Sequence, residues 1–227
     1  MNINKYLFMM VALLTVCMVS CFNDSSTNNI ITKSDMPSGS GLFSISPNQQ
    51  VRIAPGNLVY EDGIYGFTVH QYDYGGLFGW DMVGYLNFEG GWRILTRDEW
   101  HYIIVGRPYA DWKRGAATVC GVHGMVLLPD DWNGDCFVNA FNGWTTNVYD
   151  ESSWAEMESS GAVFLPASGY YYCSEVFDVG EYGYYWTSTS IDNIKAYGFG
   201  FRNSTVSIDV PFDRSEVLSV RLAKEYN

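Results

Sequence analysis

The chain has 227 residues, with Lys and Arg 13 against Asp and Glu 25, and its net charge of -12 at pH 7 excludes an electrostatic nucleic-acid binder, since phosphate backbones are held by clustered Lys and Arg. A chain of this length buries one core, or at most two small ones, without staples. Hydrophobic residues at 47% and charged residues at only 17% exclude disorder and a polar coiled coil, and aromatics at 17% raise the question of what so many rings cover.

Lys5 precedes an apolar run over residues 6–16, shorter than the ~20 residues that span a bilayer, which reads as a signal-peptide core. Met18-Val19-Ser20-Cys21 then resembles a bacterial lipobox, where cleavage falls just before a lipidated cysteine. Residues 1–20 are thus expected to be a lipoprotein signal peptide and Cys21 the acylated N-terminus, held on the membrane at roughly 0.8 kcal/mol per buried CH2. Cleavage removes one lysine and no acid, so 12 basic residues face 25 acidic ones and the charge becomes -13. The polar, Ser/Gly-rich residues 21–41 read as a flexible tether, and residues 42–227 as a single domain.

Within that domain, residues 43–46 and 50–54 alternate as strands, Pro55-Gly56-Asn57 turns into a strand at 58–60, and Glu61-Asp62-Gly63 predicts a hairpin into residues 64–70. Thr96-Arg97-Asp98-Glu99 is a capping box: Thr96 accepts from the Glu99 N–H while the Glu99 carboxylate reaches back. Trp100, Ile103 and Ile104 share one face of the helix it opens, and Gly106 and Pro108 close that helix near Val105. After a strand at 124–129, a second short helix is predicted from Ser153, with Glu156 three residues on, Trp154 and Met157 on one side and Gly161 at its end. Strands at 162–166, 184–189, 196–201, 206–210 and 218–222 complete an α+β pattern of many short antiparallel strands with two short helices. After Cys21 only Cys120, Cys136 and Cys173 remain, without CxxC spacing, so at most one bridge forms; Cys120 with His123 is a lone C-x-x-H, too little for structural zinc.

Several of these segments fall in an order that carries a family likeness. Gly91-Trp92-Arg93-Ile94-Leu95-Thr96-Arg97-Asp98-Glu99-Trp100 resembles the WR-L-T-x-x-E-W signature of Fibrobacter-major-paralogue (FISUMP-type) domains and of the wider formylglycine-generating-enzyme-like group. The likeness continues through His123-Gly124-Met125-Val126-Leu127-Leu128-Pro129, Phe164-Leu165-Pro166-Ala167-Ser168-Gly169-Tyr170, Gly183-Tyr184-Tyr185-Trp186-Thr187-Ser188 and Ser219-Val220-Arg221-Leu222. It implies a C-type-lectin-like fold over essentially the whole globule.

No catalytic residues emerge. The formylglycine-generating relatives oxidise cysteine with paired cysteines near their C-terminus, and no Cys follows Cys173; no GxSxG or HExxH occurs either. The expected function is therefore non-enzymatic: a lipid-anchored protein of the bacterial cell envelope, at the outer membrane, that binds a glycan or protein. A structural or assembly component of the cell surface, and a divergent enzyme of the same fold, stand as alternatives.

Two surfaces are candidates for binding. Trp132, Asn133 and Asp135 combine a ring for stacking with side-chain oxygens, and Asp131, Asn133 and Asp135 are the one set to weigh for calcium. That loop has neither a lectin Glu-Pro-Asn triplet nor an EF-hand pattern, so no cofactor is expected. The likeness also implies that loops in the latter half of the domain meet the ligand, which singles out Tyr170, Tyr171, Tyr172, Asp192, Asn193 and Arg202; Tyr and Asn are residue types of adaptable binding surfaces.

Overall fold

The computed structural model describes residues 40–84, 88–135 and 138–226; Cys21, the rest of the leader and most of the tether, and Cys136 lie outside them. Ser40 and Gly41, read as the end of the tether, already belong to the globule. The Ser40 hydroxyl donates to the Ile53 carbonyl, and the Gly41 N–H donates to the Gly161 carbonyl at 2.9 Å.

Strands β1 (Leu42–Ser46) and β2 (Gln49–Ile53) form a hairpin, as do β3 (Leu58–Glu61) and β4 (Ile64–Phe67), and β5 (Phe78–Gly79) enters helix α1 (Trp80–Val83). β6 (Trp92–Ile94) leads to α2 (Arg97–His101), which runs on as a π-helical turn over Tyr102–Gly106. Next come the hairpin of β7 (Arg114–Val119) and β8 (Val122–Leu127), then β9 (Val148–Tyr149) and α3 (Glu151–Ser159). The remainder is β10 (Val163–Pro166), β11 (Tyr170–Tyr172), β12 (Glu175–Phe177), β13 (Gly183–Ser190), β14 (Lys195–Arg202), β15 (Thr205–Asp213), β16 (Val217–Leu218) and β17 (Leu222–Glu225). The strands gather into small sheets ordered β1-β2-β17-β6, β10-β8-β7-β9, β12-β11-β16-β5, β13-β14-β15 and β3-β4. Pairing among the described strands is antiparallel except for the short β7–β9 contact and the single bridges Gly169–Gly183 and Tyr185–Ser219, so the architecture is α+β. Among the described residues no helix is long and apolar enough to cross a membrane.

Local expectations at α2 hold: Thr96 accepts from the Glu99 N–H, the Glu99 carboxylate accepts from the Thr96 N–H at 2.7 Å, and Trp100, Ile103 and Ile104 are buried. Arg93 pairs with Glu99 through both guanidinium nitrogens, which helps hold that carboxyl below its ordinary value. Elsewhere the elements shift. Helix α3 begins at Glu151 rather than Ser153, because the Asp150 carboxylate accepts from the Ser153 N–H and outcompetes a serine cap two residues into the turn. The strand expected over 64–70 stops at Phe67, where the Thr68 N–H and hydroxyl turn back to Asn57 and His70. The strand expected over 218–222 is divided: Ser219 bridges to Tyr185, and residues 220–221 leave the pairing so that Arg221 turns inward.

Three apolar clusters fill the interior. Trp100 packs on Phe199 at 4.6 Å between ring centres, with Phe43, Val51 and Tyr185 in the same cluster. Trp186, Trp80, Phe78 and Leu222 form the second, and Trp154, Met157 and Phe164 the third. Where the clusters meet, Arg221 is fully buried: its Nε donates to Asn57 Oδ1 (2.9 Å), one terminal nitrogen to the Ala54 carbonyl (2.9 Å) and the other to the Phe164 carbonyl (2.7 Å). Asn57 in turn donates to the Tyr74 carbonyl and to the Tyr185 hydroxyl, which itself donates to the Pro166 carbonyl at 2.9 Å. This node joins the Ser219–Leu222 and Phe164–Pro166 segments of the chain.

Candidate functional site

The sheet β13-β14-β15 has two unlike faces. On one, Tyr185, Phe199, Phe201 and Ile208 are buried against Trp100. On the other, β14 presents Gly198 and Gly200, and rings from the neighbouring strands lie over the bare backbone. A Cβ on Gly200 would stand 2.9 Å from the Tyr184 ring, and one on Gly198 2.9 Å from Phe212. The alternation of glycine and aromatic residues along residues 196–201 is therefore a packing code for both faces.

Toward solvent this glycine face continues as a row of rings. Tyr182 and Tyr184 lie parallel, 5.3 Å between centres and 7° between planes; Tyr184 meets Tyr170 edge-on at 5.5 Å, and Tyr170 stacks on Phe177 at 5.5 Å. The Arg202 guanidinium sits 4.9 Å over Tyr182 and donates to its hydroxyl at 2.9 Å, while Glu181 lies 3.8 Å from Arg202. Tyr170, Tyr182 and Tyr184 are half-buried and Phe177 is exposed, so the row is seated in the protein yet open at its edge.

Backbone geometry fixes this row. Gly169 adopts φ 67, and a Cβ there would collide with the Phe177 carbonyl at 2.0 Å, so only glycine lets β12 close over β11. Cys173 and Ser174, at φ 47 and 70, form the two-residue hairpin turn between those strands, a conformation usually left to Asn and Gly. The surroundings are acidic. Burial raises the phenols of Tyr170 and Tyr184, Tyr184 to about 12, with Asp178 adding to the shift, and burial also raises the Glu216 carboxyl.

Residues 138–223 match the model of DUF8237, a domain of unknown function. No curated protein and no solved structure matches the chain. The DUF8237 segment contains the whole aromatic row and the Arg221 end of the buried node, whereas the α2 capping box lies ahead of it.

The structure separates the candidate residues named from sequence. Arg202 belongs to the row. Tyr171 and Tyr172 stand in strand β11 rather than in a loop: Tyr171 pairs with Val176 and Val217 and is half-buried, and Tyr172 is exposed near the hairpin tip. Asp192 and Asn193 occupy the turn at the far end of the β13–β14 hairpin, an eight-residue span of about 25 Å from Arg202. There the Asp192 carboxylate accepts from the N–H groups of Ile194 and Lys195, which hold it below its usual value and commit it to its own turn.

Trp132, Asn133 and Asp135 lie elsewhere again. Trp132 is half-buried against the Trp154 cluster, and Asp131, Asn133 and Asp135 point to solvent. Among the described residues no three or more His, Cys, Asp or Glu side chains gather as a metal set. His123, of the lone C-x-x-H, stacks on Trp144 at 4.3 Å with Nδ1 2.9 Å from the Gly180 carbonyl, and Cys120 and Cys173 are free thiols.

Phe177, Tyr182 and Tyr184 are the members that the sequence reading did not single out. One signal was present: period 2 through residues 182–186 places Tyr182, Tyr184 and Trp186 on one face and Tyr185 on the other.

Proposed function

We propose that the chain is a lipid-anchored protein of the bacterial cell envelope, held at the outer membrane by acylated Cys21, whose lectin-like domain binds a glycan without transforming it. The observation that carries this reading is the open-edged row of Tyr182, Tyr184, Tyr170 and Phe177 beside Arg202. Aromatic faces carry negative quadrupole density and attract the apolar C–H faces of sugars, while phenol hydroxyls and a guanidinium reach sugar hydroxyls. The ordered sequence motifs supply the lectin-like part of the proposal.

Charge narrows the ligand class. Arg202 already faces Glu181, and Asp178 and Glu216 border the tyrosines. Anionic sugars are disfavoured by this rim, and neutral or amino-bearing sugars suit it.

Glycan-array binding by the full chain beside its Tyr182→Ala variant tests the reading. Retention of neutral or amino-sugar glycans, weakened about tenfold by Tyr182→Ala, is the expected result, equivalent to about 1.4 kcal/mol. No retention across a diverse array, or retention indifferent to Tyr182, overturns it. A protein crosslinked at constant stoichiometry through Tyr182 would move the assignment to surface assembly.

A further inference from the structure

Three large rings outside the tyrosine row stand in water: Tyr109 is 77% exposed, Trp112 61% and Phe141 79%. Their backbones are tied together. The Trp112 N–H donates to the Tyr109 carbonyl at 2.9 Å, and the Ala140 N–H, just before Phe141, donates to the Asp111 carbonyl at 2.8 Å. Tyr109 adopts φ 58, a left-handed conformation uncommon for a ring-bearing residue. Val105, also exposed, precedes the same segment. Rings gathered in water on one stretch of surface mark an interaction face.

Where the chain enters the globule indicates what covers this face. The Leu42 carbonyl accepts from the Asp130 N–H at 2.8 Å, and the Asp130 carbonyl accepts from Lys113 Nζ at 2.7 Å; Lys113 follows Trp112 directly. Two hydrogen bonds therefore separate the root of the N-terminal segment from the exposed tryptophan. Residues 22–41 intervene between Cys21 and that root, and even drawn out they span no more than about 75 Å. Charge is locally balanced in a strongly acidic chain: Arg107, Lys113 and Arg114 stand against Asp111, Asp130 and Asp131. This local balance adds no net charge to repel anionic headgroups.

We infer that the Tyr109, Trp112 and Phe141 face docks on the same membrane that holds the acyl chains, with its rings in the interfacial layer. Trp and Tyr favour that layer because each has an apolar body and a polar tip. The inference rests on the acyl anchor proposed above. Anchoring makes docking intramolecular, so rings too few to hold a free protein suffice. The consequence is orientation: the tether root faces the lipid.

The test uses the full acylated chain in phosphatidylethanolamine and phosphatidylglycerol vesicles with brominated acyl chains, which quench tryptophans that enter the bilayer. Wild-type emission is expected to fall relative to unbrominated vesicles. Trp112→Ala should abolish the drop, and Phe141→Asp, which keeps the reporter, should reduce it. Both positions are exposed, so neither variant disturbs the core. Equal quenching in wild type and Trp112→Ala, or floating wild-type protein with no quenching, overturns the docking face and leaves the anchor standing. Metabolic labelling with an alkyne fatty acid reads the anchor separately; an unlabelled Cys21 overturns both.

Discussion

Two arginines in the same matched segment end in opposite circumstances. Arg221 is fully buried, and each of its three nitrogens donates to a neutral oxygen, of Asn57, Ala54 and Phe164; burial pushes its guanidinium down to about 10. Arg202 is exposed at the end of β14, lies over Tyr182 and shares its charge with Glu181 and solvent. The first ties together chain segments more than a hundred residues apart, between Asn57 and Arg221. The second is held in place by one ring and still has donors to offer. The same side chain is a structural node where its planar fork matches fixed carbonyls, and a display group where the backbone has run out.

Removing the node should have the largest effect. Arg221→Met leaves three buried acceptors unpaired and is expected to lower unfolding free energy by about 3–5 kcal/mol, read from urea denaturation. Arg221→Lys should restore only part of it, since an ammonium does not present the same fork. A loss under about 1 kcal/mol for Arg221→Met would put the node in doubt.

A smaller effect is expected where core and display meet, on the glycine face of β14. Gly200→Val places side-chain carbon against the Tyr184 ring, which must tilt outward; the cost to stability is about 1–3 kcal/mol. Glycan retention should fall more than stability does. If binding persists while the ring moves, the tyrosine row is not the binding surface.

The smallest effect concerns pH. Tyr184 is pushed up to about 12, chiefly by burial, from an ordinary 10 in the unfolded chain. Above pH 10 the unfolded phenol loses its proton while the folded one keeps it, so the unfolded state binds fewer protons and stability falls. The contribution is complete below pH 10 and disappears as pH rises toward 12. Urea midpoints of Tyr184→Phe should decline less steeply over that window than those of wild type, and parallel curves would contradict the assignment.

Legibility from sequence followed the distance over which each feature is decided. The Thr96–Glu99 box is settled within one turn, and its helix was read with the right cap and the right buried face. The start of α3 was misplaced because Asp150 and Ser153 are both competent caps, and only the backbone path gives Asp150 the donor. Tyr171 and Tyr172 were read as loop because three tyrosines show no alternation between polar and apolar; their strand is specified by Val217, far along the chain. Asp192 and Arg202, ten residues apart, read as one candidate surface, although a hairpin puts them at opposite ends.

By itself the sequence determined the α+β class, the order of most strands and the capped helix, because hydrophobic period and side chain to backbone capping act over a few residues. Tertiary structure decided which aromatics are core and which are offered to solvent, since that depends on which strand lies beside Gly198 and Gly200. It also decided that Arg221 is a node and Arg202 a display group. Nothing local distinguishes the two; only the placement of carbonyls from distant segments does.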